Sequence, residues 1–356
     1  MEYLNNVGFP AEIHLITLDD VSDSRKIPPN IIRHRLDAGG SLRKSIFMLS
    51  RALNDIKPNL IVSFLARANV SCTVCARIIH VPNIICERMH LSSHLRINHI
   101  GFSFIASWLA ARLTYPFSTH AIGVSAGVTS DLQKNFGVSR SRSTTILNSY
   151  DIDKIHERSE TTPERYLPHD FIISVGRLVK NKNFEDLIIA FGKQSIERNL
   201  VICGEGENRS KLQDLIDQYQ LNNRVFLLGH LQDPVPVMAR AKYFISTSIN
   251  EGFPNAMVEA MILGLPIIAS NCLSGPAEIL HEDCDLKVSG VFLAKHGILI
   301  EPYRVDAIIH AMEIMSQPDN LTRYAQSSVA RASMFGERGI IECYGTLFSK
   351  ILTSAA

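Results

Sequence analysis

The chain has 356 residues, of which 46% are hydrophobic. Its 36 lysines and arginines nearly balance its 35 aspartates and glutamates, for a formal net charge of +1. This length predicts two domains, and the balanced charge argues against nucleic acid as a partner. The seven cysteines, an odd number lying mostly in apolar runs, favour a reducing cytoplasm over a disulfide-bonded secreted protein.

Short apolar runs alternate with amphipathic stretches through the first half of the chain. This alternation predicts an α/β domain over residues 1–160, in which helices connect parallel strands. The predicted strands are 12–18, 59–65, 83–86, 121–124 and 144–147, and the predicted helices are 41–56 and 125–136.

Residues 100–111, IGFSFIASWLAA, form the longest run without a charged residue or a histidine. The run is too short to span a bilayer as a helix. Phe104 and Trp108 recur at helical spacing between Arg96 and Arg112. Two interpretations remain: an amphipathic helix packed on the N-terminal sheet, which the residues favour, and a segment lying at a membrane surface.

Residues 157–170, ERSETTPERYLPHD, are polar, include two prolines and show no apolar period. This stretch is predicted to be the interdomain linker. A second α/β domain is expected over 168–335, and 336–356 is expected to form a helix that packs back on the N-terminal domain. The strands predicted for the second domain are 171–175, 200–203, 225–228, 243–246 and 265–269.

Two cations follow the first strand of the second domain. Arg177 and Lys182 lie beyond residues 171–175, at the carboxyl end of a strand, where open α/β sheets bind ligands. Arginine offers a bidentate fork and lysine a mobile point charge, so the pair would suit a diphosphate. For this loop taken alone, a solvated basic loop is the preferred alternative.

A pair of glycines follows the next strand, 200–203. Gly204 and Gly206 form a G-x-G, but Arg209 occupies the place of the third glycine of a dinucleotide fingerprint. The pattern therefore predicts a tight strand-to-helix turn rather than a dinucleotide site.

Two carboxylates flank a loop-to-helix junction after strand 243–246. Gly252 marks a turn and Pro254 a favourable first helical position. Glu251 then lies in the loop, and Glu259 lies more than one turn into the helix. A loop carboxylate can accept hydrogen bonds from sugar hydroxyls, and a helical one can accept both hydroxyls of a ribose. The alternative is a capping loop followed by one solvated glutamate.

The string EGFPNAMVEAMILGLPIIAS at 251–270, followed by SGPAEIL at 274–280, resembles the C-terminal signature of retaining GT-B glycosyltransferases of family four, the glycosyl transferases group 1. Arg177 and Lys182 also match the two cations of this family. The resemblance implies a GT-B fold: two Rossmann-like, doubly wound parallel-sheet domains that face a cleft. No metal or other cofactor is expected, and no Asp-x-Asp adjoins an apolar strand to hold a divalent ion.

The resemblance also implies roles for residues of the second domain. Arg177, Lys182 and Glu251 are expected to be catalytic, with the two cations stabilising the departing diphosphate. Donor binding is expected from Glu259, Gly204, Gly206, Phe253, Pro254 and Asn255.

In the N-terminal domain the resemblance implies an acceptor side. Glu87, Arg88 and His90 follow strand 83–86 and are expected to face the sugar and the acceptor, although a surface loop is a close alternative. The family opens with a strand and a Gly-Gly loop that precede the strand corresponding to 12–18. Because so few residues stand before that strand here, the chain is expected to lack both.

The expected function is transfer of a sugar, with retention, from a nucleoside diphosphate sugar to a glycan or polyprenyl-diphosphate-linked acceptor in surface polysaccharide or glycoconjugate synthesis. UDP is the expected nucleotide. The expected location is the cytoplasm, peripheral to the inner face of the cell membrane. Two alternatives stay open: a GT-B sugar-nucleotide epimerase that shares the diphosphate site, and a truncated noncatalytic remnant that binds the UDP-sugar.

Overall fold

The computed structural model describes residues 11–20, 27–98, 101–194 and 196–355. The chain divides into two compact units. Unit 1 comprises Met1–Val124, Val128–Leu147 and Arg338–Ala356, and unit 2 comprises Ser125–Gly127 and Asn148–Glu337. Both units are built on parallel sheets with connecting helices, which confirms the predicted α/β class.

Unit 1 contains two parallel sheets. A two-stranded sheet pairs β1 with β2, and a four-stranded sheet has the order β3-β4-β5-β6. The strands are β1 (Ile13–Thr17), β2 (Ile31–Arg35), β3 (Ile61–Phe64), β4 (Asn83–Glu87), β5 (His120–Gly123) and β6 (Ser143–Thr145). The helices of this part of the chain are α1 (Leu42–Ile56), α2 (Ala66–Ile79), α3 (Leu91–Asn98), α4 (Phe102–Thr114) and α5 (Ala126–Phe136).

Unit 2 is built on a seven-stranded sheet of order β12-β13-β11-β10-β7-β8-β9, in which only the β12–β13 pair is antiparallel. Its strands are β7 (Phe171–Val175), β8 (Asn199–Cys203), β9 (Val225–Gly229), β10 (Phe244–Ser246), β11 (Ile267–Ser270), β12 (Val291–Leu293) and β13 (Ile298–Ile300). Its helices are α6 (Ile152–Ser159), α7 (Phe184–Lys193), α8 (Arg209–Gln218), α9 (Val235–Met238), α10 (Asn255–Ile262), α11 (Pro276–His281), α12 (Val305–Met315) and α13 (Pro318–Ala332).

The core of unit 2 forms where apolar helix faces cover apolar strands. Phe184, Leu187, Ile188 and Phe191 recur at helical spacing along α7, and all four are buried in one cluster with residues of β7 and β8. Because parallel strands with helices on both faces are buried on both sides, they consist of continuous apolar runs. This packing fixes the positions at which the central strands end.

The C-terminal helix α14 (Glu337–Ala355) belongs to unit 1. Its Phe348 and Ile351 lie in one buried cluster with Ile84 and Cys86 of β4 and Ile122 of β5. The four-stranded sheet is therefore covered in part by residues from the far end of the chain.

Most predicted strands differ from the observed ones only at their ends, but β12 and β13 were not predicted, and neither was β2. Its sequence, IIRHR, has three cationic or imidazole side chains and no continuous apolar run. The strand forms because it pairs in parallel register with β1, from Ile13 opposite Ile31 to Thr17 opposite Arg35. Backbone pairing at this sheet edge outweighs the weak apolar signal.

The polar stretch predicted as the linker begins inside a helix. Residues 157–159 are the end of α6, and only 160–170 lack helix and strand. α6 packs on α9 and α10, so the main segment of unit 2 begins at Asn148, within the range predicted for the first domain. A local cap explains the helix start, because the side chain of Asp151 accepts a hydrogen bond from the backbone N–H of Lys154.

Two expectations fall partly or wholly outside the described residues. The missing first strand and Gly-Gly loop concern residues 1–10, which the structure does not describe. The apolar run predicted at 100–111 corresponds to α4, which begins at Phe102. Within the described ranges, no helix combines the length and the apolar character needed to cross a bilayer.

Candidate functional site

The candidate site in unit 2 lies at the carboxyl ends of three neighbouring strands. β10, β7 and β8 are adjacent and parallel, so the loops that follow them leave the same edge of the sheet. These loops contain the predicted cations, the glycine pair and the first predicted carboxylate. Open parallel sheets bind ligands at this edge.

Lys182 and Glu251 come together in an ion pair. The distance from Lys182 Nζ to Glu251 Oε1 is 2.5 Å, and the two side chains are only 22% and 11% exposed. Neither the loop after β7 nor the loop after β10 predicts this pairing, because the two residues are far apart in sequence. The adjacency of β7 and β10 brings them together.

Hydrogen bonds connect the loop after β7 to the loop after β10. Ile249 N donates to the carbonyl of Asn181 at 2.9 Å, and Thr247 Oγ1 donates to the carbonyl of Asn183 at 3.0 Å. Ser274 Oγ donates to the Glu251 carbonyl at 2.6 Å. The backbone that carries the ion pair is therefore held on both sides, which preorganises the two charges.

Arg177 differs from Lys182 in its surroundings. It is exposed, and it has no ion pair with any residue that the structure describes. Its neighbour Leu178 is fully buried and donates its N–H to the Glu205 carbonyl at 2.8 Å, so the loop backbone is anchored beside it. The guanidinium is thus an accessible cation on a fixed loop.

Gly204 and Gly206 allow the loop after β8 to lie directly against the loop after β7. Gly204 has φ +149°, and a Cβ there would be 1.9 Å from the Gly176 carbonyl oxygen. A Cβ at Gly206 would be 2.4 Å from the Leu178 carbonyl oxygen. The predicted tight turn is present, and its physical reason is this close approach of two backbones.

Arg209 stands in the place of a third glycine and binds the loop before its own helix and the next strand. Its guanidinium donates to Glu205 Oε1 at 2.7 Å and to the Leu227 carbonyl at 3.3 Å. The arginine therefore ties the start of α8 and the loop before it to β9, which supports the interpretation of the G-x-G as a turn.

The predicted junction between loop and helix is also present. Pro254 caps α10, which ends before Gly264 at φ +76°. Glu259 is half-buried in the second turn of α10. Phe253 does not lie free in the loop, because its ring packs edge-on against Phe335 at a centroid distance of 5.4 Å.

Asn255, predicted to bind the donor, already accepts two hydrogen bonds. Asn148 Nδ2 and Tyr150 Oη each donate to Asn255 Oδ1 at 2.6 Å. The side-chain oxygen of Asn255 thus ties the start of α10 to the segment that precedes α6. A structural role explains this side chain, and its backbone remains at the helix amino end.

Sequence reasoning missed an ion pair near Glu259. Arg158 Nε donates to Asp233 Oδ2 at 2.8 Å, and a second guanidinium nitrogen lies 2.5 Å from Oδ1. Hydrogen bonding to Asp233 raises the pKa of Arg158, and the charge of Glu259 acts in the same direction. Burial alone would raise the pKa of Asp233, but the bonds from Arg158 and Val235 N outweigh it and hold the pKa down.

Arg158 was missed because it lies in the polar stretch interpreted as a linker. The cap formed by Asp151 was the available signal, since an aspartate before a short amphipathic stretch predicts a helix start. A helix there would have placed Arg158 in the body of the domain.

In unit 1 the structure puts Glu87 inside the fold rather than at an exposed strand end. Its Oε1 accepts hydrogen bonds from Tyr115 Oη and, at 2.9 Å, from Asn69 Nδ2. Burial raises the pKa of Glu87 to about 7, although both hydrogen bonds act to lower it. The predicted acceptor-side carboxylate is therefore a buried polar anchor, because β4 is covered by α2 and by the turn that carries Tyr115.

His90 lies in a hydrogen-bonded cluster with an aspartate that the sequence did not single out. Its Nδ1 is 3.0 Å from Ser93 Oγ and 3.8 Å from Asp131 Oδ2. Burial lowers the pKa of His90, while Asp131 opposes this shift. Asp131 also accepts from Ser92 N at 3.0 Å, so it caps α3 and holds the segment that carries His90.

Arg88, the third residue predicted on the acceptor side, lies beside Tyr344 of α14. Burial raises the pKa of the Tyr344 hydroxyl to about 12, and the neighbouring Arg88 opposes the shift. The three predicted residues thus diverge: Glu87 points into the core, Arg88 meets α14, and His90 joins Asp131. Across the part of the chain that the structure describes, no three His, Cys, Asp or Glu side chains gather as a metal site would require.

The chain resembles known proteins both in sequence and in fold. Residues 157–328 match the family model of the glycosyl transferases group 1. An uncharacterized glycosyltransferase of Methanocaldococcus jannaschii is 28% identical over 283 residues, which are 73% of this chain and 68% of the relative. The N-acetylgalactosamine-N,N'-diacetylbacillosaminyl-diphospho-undecaprenol 4-alpha-N-acetylgalactosaminyltransferase of Campylobacter jejuni is 28% identical over 236 residues, 66% of this chain and 61% of the relative.

The crystal structure of Anabaena HepE in complex with UDP is similar in fold, with a TM-score of 0.71 at 19% sequence identity over 90% of this chain and 87% of that one. At this identity the similarity concerns the fold alone, and that fold is GT-B. We call the loops after β7, β8 and β10, together with α10, the strand-end site. The family model covers all of this site, including Lys182, Glu251 and Glu259. Residues 157–328 are therefore similar to the glycosyl transferases group 1, and the chain resembles glycosyltransferase enzymes and has the GT-B fold.

Proposed function

We propose that the protein transfers a sugar, with retention at the anomeric carbon, from a UDP-sugar to a glycan or lipid-linked glycan acceptor. The observation that carries this proposal is the ion pair of Lys182 and Glu251 beside the exposed guanidinium of Arg177. The three groups follow adjacent parallel strands, on loops that are hydrogen-bonded to each other. The two cations can bind a diphosphate, and the carboxylate can accept hydrogen bonds from sugar hydroxyls.

The comparisons support the proposed chemistry of the two substrates. HepE binds UDP, which supports UDP as the nucleotide. The Campylobacter jejuni relative acts on an undecaprenol-diphosphate-linked sugar and makes an α-linkage. An α-linked product formed from an α-linked nucleotide sugar has the same configuration at the anomeric carbon, which supports retention and a lipid-linked acceptor. Such acceptors would put the reaction at the inner face of the cell membrane.

The proposed step exchanges one bond at the anomeric carbon for another. The bond between that carbon and the β-phosphate oxygen breaks, and an acceptor hydroxyl oxygen forms the new bond on the same face. The hydroxyl proton passes to the departing phosphate oxygen. Arg177 and Lys182 stabilise the charge that builds on the diphosphate, so the proposal requires no metal or other cofactor.

Donor binding would break the ion pair between Lys182 and Glu251. The Lys182 ammonium turns from Glu251 to the diphosphate, and the Glu251 carboxylate is released to accept hydrogen bonds from sugar hydroxyls. Glu259, on α10, is the proposed acceptor for the ribose hydroxyls. The amino end of α10 adds free N–H groups that favour negative charge.

Kinetics of cation variants test the diphosphate assignment. Arg177→Ala and Lys182→Ala should each lower kcat by about a hundredfold, with a smaller effect on KM for the donor, because the charge is largest in the transition state. Lys180→Ala is the matched control, since Lys180 is an exposed cation of the same loop with no proposed role. Equal, small effects of all three substitutions would remove the assignment.

Calorimetry tests the division of labour between the carboxylates. Glu259→Gln should weaken binding of UDP itself, whereas Glu251→Gln should leave UDP affinity nearly unchanged and impair use of the sugar donor. An equal loss of UDP affinity in both variants would contradict the division between ribose and sugar.

Product analysis separates the transferase from the alternatives. A transferase forms glycosylated acceptor and UDP together, and makes little product without acceptor. An epimerase would convert the donor sugar without acceptor, and a noncatalytic protein would bind UDP without turnover. Either of these two outcomes would replace the proposed function.

A further inference from the structure

Helix α4 is apolar on both of its faces, but only one of them is covered. Ala111 is buried, and Phe104 and Trp108 are partly buried against the same core cluster. These are the residues expected to touch lipid if the run 100–111 were interfacial, and the structure puts them against the sheet instead. A helix that is apolar all round normally has both faces buried, in a core or in a membrane.

The opposite face of α4 carries large apolar side chains in solvent. Phe102 is 84% exposed and Leu113 is 64% exposed, and Ile105 and Leu109 between them are also exposed. Their spacing of three and four residues puts all four on one side of the helix. Phe117 continues the stripe in the turn that follows α4. We call these five residues the α4 surface.

The charge around the α4 surface has one sign. From Lys57 to Ser130 the sequence contains one acidic residue, Glu87, and that side chain is buried. The guanidinium of Arg77 lies over the Phe117 ring, 5.3 Å from its centroid. Among the residues that the structure describes, Arg77 and Arg112 form no ion pair with a carboxylate. The segment that carries the exposed apolar stripe therefore offers cations and no exposed carboxylate.

We propose that the α4 surface docks the protein on an anionic phospholipid bilayer, with α4 lying along the interface. The apolar stripe would enter the boundary of headgroups and acyl chains, and Arg77 and Arg112 would meet lipid phosphates. A second copy of the chain fits this surface less well. A two-fold contact would bring the same cations together, and this stretch offers no exposed carboxylate to neutralise them. The proposal deepens the proposed function through its membrane-linked acceptor, but its test needs no donor.

Vesicle binding of the full chain tests the proposal. Vesicles of phosphatidylcholine alone are compared with vesicles that also contain phosphatidylglycerol. The protein should sediment with the anionic vesicles, and salt should weaken the binding. Phe102→Ser and Leu109→Ser should each lower the partition coefficient by about tenfold, and Arg77→Gln by a smaller factor.

Phe47→Ser is a matched control. Phe47 is an exposed phenylalanine on α1, and Arg51 lies over its ring as Arg77 lies over Phe117. This substitution should leave vesicle binding unchanged. Trp108 is the only tryptophan of the chain and lies on α4, so quenching of its fluorescence by brominated lipid reports contact through this helix. Melting temperature and UDP affinity should stay unchanged in every variant, because the substituted side chains are exposed and outside the strand-end site.

Several outcomes would overturn the proposal. They are no binding to anionic vesicles, and binding that Phe102→Ser and Leu109→Ser leave intact. Concentration-dependent dimers without lipid, abolished by Phe102→Ser, would assign the surface to a second copy. If the wild-type chain did not bind UDP, this result would contradict the proposed function but would not affect the conclusion from vesicle binding.

Discussion

At the scale of single residues, Lys182 and Glu251 depend on each other because both are mostly buried. A buried charge that loses its partner keeps its desolvation cost and loses its Coulomb attraction. In unit 2 this cost falls on a carboxylate whose backbone is held by Ser274 and by the loop after β7. The carboxylate cannot easily move into solvent.

A double-mutant cycle measures this dependence. Lys182→Met should lower the free energy of unfolding by about 2 kcal/mol, because Glu251 remains buried without its partner. Lys182→Met combined with Glu251→Gln should recover most of the loss, since no unpaired charge remains. Urea unfolding of the three variants measures the coupling, and additive losses would show that the pair contributes little to stability.

The burial of Glu87 predicts that the stability of the fold depends on pH. The Glu87 pKa of about 7 in the folded state lies above the ordinary 4.5 because of burial, so the folded form binds the proton more tightly than the unfolded form. Stability contributed by the neutral carboxyl is present below pH 4.5 and is lost as pH rises through 7, by about 3 kcal/mol in total. Glu87→Gln should flatten this part of the stability profile, measured by thermal unfolding between those two pH values. An unchanged slope would mean that Glu87 is ionised in the fold throughout.

The two glutamates show what can be predicted for single residues. Glu251 was predictable because a local turn and helix start define its place. Glu87 also follows a strand, but its burial depends on Tyr115 and Asn69, which come from other elements. Local spacing does not reveal such partners.

At the scale of elements, glycines mark where two backbones meet. A Cβ at Gly204 would overlap the Gly176 carbonyl oxygen, and its φ of +149° is rare for other residues. Gly339 and Gly345 lie instead in α14 with nothing within 4 Å of a built Cβ. The same substitution should therefore have opposite effects at the two kinds of site.

Alanine substitutions check this difference. Gly204→Ala should lower the free energy of unfolding by more than about 2 kcal/mol and weaken UDP binding, because the two strand-end loops must separate. Gly339→Ala should raise it by about 0.5–1 kcal/mol, since alanine favours a helix interior. Chemical denaturation of both variants gives the two values. A mild effect at Gly204 would show that the loops can part at little cost.

Helix α4 shows the limit of prediction at this scale. The apolar run predicted a helix, and the helix is present over the described part of the run. The packing of Phe104 and Trp108 agrees with the interpretation that the residues favoured, a helix packed on the N-terminal sheet. Because both faces are apolar, periodicity could not show which one turns inward. Packing against the core of unit 1 selected the inward face.

At the scale of the whole molecule, each unit has buried clusters of its own. The main cluster of unit 2 uses residues from Ile172 to Tyr324. Unit 1 combines the first part of the chain with α14, whose Phe348 and Ile351 cover β4 and β5. The two units should therefore respond differently to loss of the C-terminal helix.

Truncation after Glu337 should destabilise unit 1 by on the order of 4 kcal/mol, because the apolar contacts of Phe348 and Ile351 with β4 and β5 are lost. Urea unfolding followed by Trp108 fluorescence reports on unit 1 specifically, since this tryptophan is the only one in the chain. Residues 148–337 expressed alone should unfold cooperatively, as judged by circular dichroism. An unchanged Trp108 midpoint after truncation would show that α14 is dispensable.

The sequence by itself determined the α/β class, most strand positions and the matched string from Glu251 to Leu280, because these depend on apolar period, turn residues and local spacing. Tertiary structure decided the pairing of Lys182 with Glu251, the burial of Glu87 and the joining of His90 to Asp131. It also decided which face of α4 meets solvent and where unit 2 begins. Each of these depends on contacts between elements distant in the chain, and residue order does not specify such contacts until the sheets bring the elements together.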